Sequence, residues 1–541
     1  MNRNIKNTIR AGLAASVMTF AFLSCSETWD DHYDTNSDVL SKTSLWTTIQ
    51  KNGNLSDFVE VLSATGFDKV LQTEQVYTVW APVNGTFNKD SLVTLAKNGN
   101  KSDVLKRFIY NHVSRYNYSV NESDRLVTML NTKRYHFTGS KMGGIDITSA
   151  NNRCNNGVLH VVNAQVPFLN SILEEIEVNP QFSMIYEFLR TYDKDSLDED
   201  RSVSRGVDED GNKIYVDSVT IYSNTILTAL DALVNEEDSN YRALLPTNEA
   251  FQARYEELLP LFKFNPSVDG ADSLQIMNAK RYVLNDLFFN MNQNKHERDS
   301  LFATTYNKRR PEFHVYYHPY ETVNDTVGLM QKSYDSKISC SNGEIYAFSE
   351  WPVTVEDEVF HQIKVDAEQG NAVNNITEYT NKCNLQYKTN YIGWGMSQNG
   401  FLDVVPTSSS VNPEIGFNIP NTLSGTYDIY AVMPNCYFFY SDSEDTRPYQ
   451  FRAQMFEMDQ TGQFPKTGGV RLRNNEVINN NAENMLDTVF IDTYTFQNSY
   501  ISRESNGVIL KLISYITSSK TKEFSRRMLV DCIVLKPHKD E

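Results

Sequence analysis

Tyr77-Thr78-Val79-Trp80-Ala81-Pro82-Val83-Asn84-Gly85-Thr86-Phe87 and Tyr241-Arg242-Ala243-Leu244-Leu245-Pro246-Thr247-Asn248-Glu249-Ala250-Phe251 are two copies of one pattern. Each reads as a short apolar strand, a Pro, one further residue, an Asn, and a helix whose apolar face opens at Phe. Pro has no N–H to give a ladder, so it ends the strand. Asn is a strong N-cap, so it is expected to start the helix that follows. Each copy has a closing partner downstream. Asn156-Gly157-Val158-Leu159-His160-Val161-Val162-Asn163 precedes Val166-Pro167, and Asn342-Gly343-Glu344-Ile345-Tyr346-Ala347-Phe348 precedes Trp351-Pro352. Asn-Gly ahead of an apolar run marks a turn that enters a strand. Repeated boxes of this kind imply two copies of one domain.

Around the boxes the sequence reads as α/β. Leu45, Ile49, Phe58, Val59 and Leu62 recur near a 3.6-residue period, with a Gly-Asn break at 53–54. Phe182, Ile185, Tyr186 and Leu189 do the same in the second copy. The paired boxes resemble the two signature segments of the fasciclin domain. Phe108-Ile109-Tyr110-Asn111-His112-Val113 resembles the Tyr-His segment of that family, whose His packs and hydrogen-bonds. The likeness is fuller over residues 38–175 than over 176–358. In the second copy Arg281-Tyr282-Val283-Leu284 has no His, and Tyr346 stands where the closing box carries His160. An insertion over 192–217 is rich in Asp, Glu and Ser. It reads as a solvated loop rather than a calcium site, because the EF-hand spacing is absent.

Residues 359–541 have a different texture. Short alternating runs are expected as strands from Ile363 to Glu368, Phe401 to Val405, Ile415 to Ile419, Tyr427 to Val432, Phe451 to Met458, Thr488 to Tyr494, Val508 to Ile516 and Met528 to Leu535. Many short strands without a helical period mean a sandwich or barrel. Val365-Asp366-Ala367-Glu368 at one end, Leu529 to Pro537 at the other, and Gly425 to Ala431 between resemble galactose-binding-like jelly rolls. That likeness implies a ligand site in the loops at one end or on a concave face. Trp394, in Tyr391-Ile392-Gly393-Trp394-Gly395, is the candidate aromatic platform, with Tyr391 beside it. The alternative is a core Trp held in a tight corner. Tyr437-Phe438-Phe439-Tyr440 reads as a core strand.

The N-terminus carries an address. Arg3, Lys6 and Arg10 precede an apolar run from Ala11 to Leu23, too short for a spanning helix of about 20 residues. Phe22-Leu23-Ser24-Cys25 resembles the lipobox of bacterial lipoproteins, so residues 1–24 are expected to be a signal peptide and Cys25 the lipidated residue. The acidic linker 25–37, with Asp30-Asp31 and Asp34, resembles the surface-export signal of Bacteroidetes lipoproteins. The resemblance implies an outer-membrane lipid anchor and a chain that faces the cell exterior. More than one acyl chain is needed for a stable anchor.

Composition narrows the partners. The 541 residues allow about three or four domains. The formal net charge of −18 argues against nucleic acid. Cys154, Cys340, Cys383, Cys436 and Cys532 are an odd, scattered set, which reads as buried thiols and not as a disulfide framework. No nucleophile elbow, P-loop, zincin or dinucleotide motif is present. His314 and His318 would share a strand face yet sit too far apart to chelate one metal. The expectation is therefore a non-catalytic protein with no cofactor and no metal site. Seven Asp-(Ser/Thr)-apolar triplets, among them Asp90-Ser91-Leu92 and Asp487-Thr488-Val489, resemble O-glycosylation acceptors of Bacteroidetes, with chance abundance as the alternative. The whole reads as multidomain α+β: two fasciclin-like α/β domains, then an all-β jelly-roll sandwich. Its expected role is accessory capture of a glycan or peptide beside an outer-membrane importer. Adhesion to a protein partner is the alternative.

Overall fold

The structure is a computed structural model. It describes residues 43–539 apart from 121–122, 208–210, 212, 286, 293–333, 352–353, 356–358, 368–375, 380–381, 440–445, 460, 466–467 and 502–506. Cys25, the signal segment, the acidic linker, His314 and His318 lie outside the described residues. The chain divides into two compact units, Met1–Leu169 and Asn170–Glu541.

The first unit is built on the strand Tyr77–Pro82, every residue of which after Tyr77 is buried. It runs parallel to Gly157–Val162 in the register Tyr77 to Gly157 through Pro82 to Val162. A strand covered on both faces needs an unbroken apolar run, and Thr78-Val79-Trp80-Ala81 comes close to one. Val79 and Ala81 face a core with Leu45, Phe58, Leu62 and Ile109. Trp80 faces a second core with Val127, Phe137, Met142 and Val162. Seven strands form the sheet, in the order Val113–Arg115, Tyr77–Pro82, Gly157–Val162, Ile145–Cys154, Lys141–Met142, Arg134–Phe137 and Arg125–Thr128.

The second unit opens by repeating this plan. Tyr241–Pro246 runs parallel to Gly343–Phe348, with Tyr241 against Gly343 and Pro246 against Phe348. Phe288–Asn290 and Ser336–Cys340 flank the pair, as Val113–Arg115 and Ile145–Cys154 flank the first. Gly157 and Gly343 have φ of +148° and +144°. A Cβ on either would come within 1.9 Å of the carbonyl oxygen of Tyr77 or Tyr241, so only Gly fits the start of this strand. The helix Ile172–Val178 opens with a full capping box at Ser171 and Glu174, and Ile172 and Ile176 enter the second core. This helix thus belongs with the second unit, which begins at Asn170.

Three sequence expectations are corrected. Asn84 and Asn248 do not cap their own following helices. Asn84 Oδ1 accepts from Asp57 N at 2.9 Å, and its Nδ2 donates to Gly53 O and Ser56 Oγ. Asn248 does the same to Met184 N, Pro180 O and Ser183 Oγ. Each Asn thus clamps the N-terminus of an earlier helix, Ser56–Thr65 or Ser183–Arg190. The helix after the first box starts at Lys89 with Asn88 as its cap. The expected loop at 192–217 is instead a two-stranded ribbon, Asp193–Val207 against Lys213–Asn224. Its acidic composition obscured a β-rich second strand, Ile214 to Tyr222. Met528 to Leu535 is not one strand. Met528–Val530 pairs with Phe401–Pro406, while Cys532–Pro537 pairs with Gly425–Pro434, so the chain changes sheet at Asp531.

The remainder is the β-sandwich. One sheet has the order Ile363–Asp366, Cys532–Pro537, Gly425–Pro434, Leu486–Phe496. A second is Ile376–Tyr379, Glu414–Ile419, Val508–Ser514, Gln450–Glu457, Val470–Arg471, with Ile478–Asn479 also pairing to Gln450–Glu457. A third joins Cys383–Lys388, Phe401–Pro406 and Met528–Val530. The pairings between these strands are antiparallel, and one core fills the space between, including Phe401, Ile429, Tyr449, Leu510 and Ile533. The sandwich meets the second α/β repeat along a hydrogen-bonded seam. Ser424 N donates to Leu261 O, Ser499 N donates to Lys263 O, and Leu423 is buried in the core of the repeat.

Candidate functional site

Trp394 lies in a loop that five left-handed residues fold back on itself: Asn390, Gly393, Gly395, Gln398 and Asn399. Glycine suits φ of +84° and +80° on either side of the Trp, so the ring is lifted out of any regular ladder. Tyr391 N donates to Asn399 O and closes the loop. Its far end is pinned below: Ser397 N donates to Asp531 Oδ1 at 3.0 Å, and Ser397 Oγ bonds Asp366. Burial pushes the Asp531 carboxyl up to about 7, and the Ser397 N–H partly offsets that. Burial raises the neighbouring Cys532 thiol as well. Strand Phe401–Pro406, which leads out of the loop, is tied down by a two-bond pair between Arg527 and the fully buried Asp403, at 2.8 and 2.5 Å.

The second aromatic run is not the expected core strand. Cys436–Phe439 is a single helical turn. Asn435 turns the chain out of strand Gly425–Pro434, with its amide on Asn481 O and Asn484 O. Buried Tyr449 anchors the turn: its hydroxyl donates to Pro434 O and accepts from Cys436 N. The result places Phe439 inward and Tyr437 and Phe438 outward. Phe439 is the meeting point. Its ring lies 5.3 Å from Trp394, 5.6 Å from Tyr391 and 5.3 Å from Phe401.

Trp394 stands at 42% exposure over a floor of Tyr391, Phe401 and Phe439, with Ile392 in the same loop at 78%, and Tyr437 and Phe438, which precede Phe439 in the helical turn, are exposed at 54 and 37%. The two sequence candidates, Trp394 and Tyr391, belong to this cluster. Tyr391 is part of its support, packed on Phe401 at 5.1 Å, and Trp394 is half out of it. Tyr437 and Phe438 were missed as surface residues. Four aromatics in a row read as a strand, and nothing local marks where a helical turn interrupts the β pattern. Among the described residues, no group of three or more His, Cys, Asp or Glu side chains is placed to hold a metal ion.

His112 and His160, the two His residues of the family-like segments, are structural. Val166 N–H donates to His112 Nε2 at 2.9 Å, so His112 Nδ1–H donates to Phe108 O at 2.7 Å. Burial pushes the His112 imidazole down to about 4. His160 accepts from Asn151 N–H at Nδ1, donates from Nε2 to Tyr118 O, and stacks on Trp80 at 5.6 Å; burial lowers it too. Both are neutral cross-links and leave no nitrogen for chemistry.

The first unit's paired boxes and central parallel strands can now be named. Residues 53–166 match the fasciclin domain. The fasciclin match lies wholly within the first unit, and the second repeat shares the order and register of its central strands. No curated protein matches the chain. Among solved structures, the chain is similar to a FAS1 domain pair from the insect cell adhesion molecule Fasciclin I, at 13% identity over 57% of this chain and all of that one, TM-score 0.21. It is also similar to a CBM35 module of Cellvibrio japonicus Abf62 (12% identity, 33% of this chain, 95% of that one, TM-score 0.19). A family 35 carbohydrate binding module from Clostridium thermocellum is similar at 13% identity over 33% of this chain and 99% of that one, TM-score 0.19.

Proposed function

We propose that this is a lipid-anchored protein on the outer surface of a Bacteroidetes-type cell, non-catalytic, whose sandwich captures a glycan at the Trp394 cluster. Cys25 would carry the anchor, and the fasciclin-like repeats would hold the sandwich away from the membrane or dock it beside an importer. The observation that carries the reading is the cluster itself. Large apolar rings on loops are normally buried. Here three side chains with aromatic rings and one isoleucine are held outward by a packed aromatic floor. Such rings offer flat faces to the C–H side of a sugar and their edges remain wet.

The test uses the chain from residue 26 onward in affinity gels containing a panel of polysaccharides. Retardation by at least one glycan is expected, and Trp394→Ala is expected to weaken it by about tenfold or more, in line with loss of an interface anchor. The ring is half-exposed, so the same change should cost less than about 1 kcal/mol of stability. No retardation by any glycan would end the capture reading. Protease digestion of intact cells and fatty-acid labelling at Cys25 test the location.

The fasciclin domain favours a second reading, in which the partner is a protein and the role is adhesion. Pull-down from outer membranes separates the two: an importer recovered with the chain supports capture, and an adhesin of a neighbouring cell supports adhesion.

A further inference from the structure

The seam between the second α/β repeat and the sandwich encloses a pocket of about 350 Å3. That is the low end of small-molecule sites, roughly 300–1,000 Å3, which often form where two modules meet. Phe264 and Val268 wall it on one side, and Met458, Tyr500 and Ile501 on the other. Tyr500 is fixed: its hydroxyl donates to Glu457 Oε2 at 2.7 Å, and its ring lies so close to Gly507 that a Cβ there would come within 2.2 Å of it.

The polar lining is sparse and underused. Ser499 is 5% exposed, and its Oγ has no hydrogen-bond partner, although its N–H donates to Lys263 O. A buried hydroxyl left unpaired is uncommon, and a ligand hydroxyl or an ordered water would satisfy it. Asp459 takes hydrogen bonds from Thr461 and Gln463 on Oδ1, which leaves Oδ2 as an acceptor. Asn265 Oδ1 accepts from Ser267, so its Nδ2 remains as a donor. No Lys, Arg or His is among the described lining residues.

We infer that this pocket binds one neutral, pyranose-sized polyol, with its C–H face on Tyr500 and Phe264 and its hydroxyls on Ser499, Asp459 and Asn265. Among the described lining residues Asp459 is the one charged side chain; its carboxylate disfavours anionic ligands and suits hydroxyl donors. The pocket belongs to a different part of the sandwich from the Trp394 cluster, and this inference does not rest on that reading.

The experiment uses the chain from residue 26 onward with a panel of methyl pyranosides, read by ligand-observed NMR and calorimetry. At least one is expected to bind saturably and to raise the thermal midpoint. Val268→Trp, at a surface-exposed position of the lining, is expected to abolish binding. Ser499→Ala is expected to weaken it about fivefold, the size of one neutral hydrogen bond, without lowering the midpoint of the unliganded protein. Trp394→Ala is expected to leave methyl pyranoside binding intact, which separates this site from glycan capture. Three results would overturn the inference. The panel fails to bind, which makes the pocket solvent-filled. Binding survives Val268→Trp but not Trp394→Ala. Or Ser499→Ala lowers the unliganded midpoint and leaves affinity unchanged, which makes Ser499 a structural residue.

Discussion

Two asparagines in each α/β repeat do work that their neighbours in sequence do not reveal. Asn156 Oδ1 accepts from Leu45 N, and its Nδ2 donates to Leu71 O and Thr73 O. Asn342 makes the equivalent bonds to Ile172 N, Val234 O and Glu236 O. Removing such a side chain leaves several buried backbone groups unpaired, so Asn156→Ala is expected to cost about 3 kcal/mol in urea denaturation of the protein. His112 gives a pH prediction. Its imidazole is pushed down to about 4 from 6.5, so the unfolded chain takes up a proton first. The stability it contributes is present above pH 6.5 and lost as pH falls toward 4, by about 3 kcal/mol. Urea midpoints at neutral pH and near pH 4 measure it, with His112→Gln as the variant that should lack this component. An NMR titration in which the His112 ring takes up its proton near pH 6.5 would refute it.

Among the elements, the ribbon Asp193–Val207 with Lys213–Asn224 stands apart. Among the described residues it pairs with no third strand, and two strands alone are marginal in water. Its base is held where Asn224 Nδ2 donates to Leu189 O and Asp193 Oδ1 and Asn224 Oδ1 caps the helix Thr225–Leu230. Replacing 197–219 with a two-residue turn that keeps this base is therefore expected to shift the thermal midpoint by less than about 3 °C. A larger fall in calorimetry would show that the ribbon packs on the fold. The short turn Cys436–Phe439 should behave in two ways. Tyr437→Ser, at an exposed ring, is expected to reduce glycan retention at little cost in stability. Phe439→Ala removes the ring under Trp394 and is expected to cost about 3 kcal/mol. Equal losses of stability for both would place Tyr437 in the core. The described acceptor hydroxyls of the Asp-(Ser/Thr)-apolar triplets, Ser91, Ser196, Ser273 and Thr488, are all exposed. Hexose mass on protein from its native host would establish their glycosylation.

At the scale of the molecule, the second repeat and the sandwich behave as one body. Ser424 Oγ accepts from Lys263 N and bonds Pro260 O and Leu261 O, Phe360 packs against both cores, and Leu423 is buried among residues of the repeat. Residues 170–541 are therefore expected to melt in one calorimetric transition, and Leu423→Asp to lower it sharply by placing a charge in that core. Two separate transitions in the parent protein would refute the coupling. The sandwich cut out at residue 359 would expose Leu423, so ligand experiments belong on the longer chain.

The sequence alone determined the repeat, the α/β character of its two copies, the change to short strands beyond residue 359 and most of the longer strands there, though not Cys383–Lys388, because these follow from local rules: apolar period, Pro and Gly. Asn-Gly before each closing strand was legible for the same reason. Which helix Asn84 and Asn248 would cap was not, since the partner lies 27 and 64 positions away in the chain. Nor was the meeting of Trp394 with Phe439, or the pocket at Ser499. These are products of distant segments meeting on a surface, and no neighbour in the chain records such a meeting.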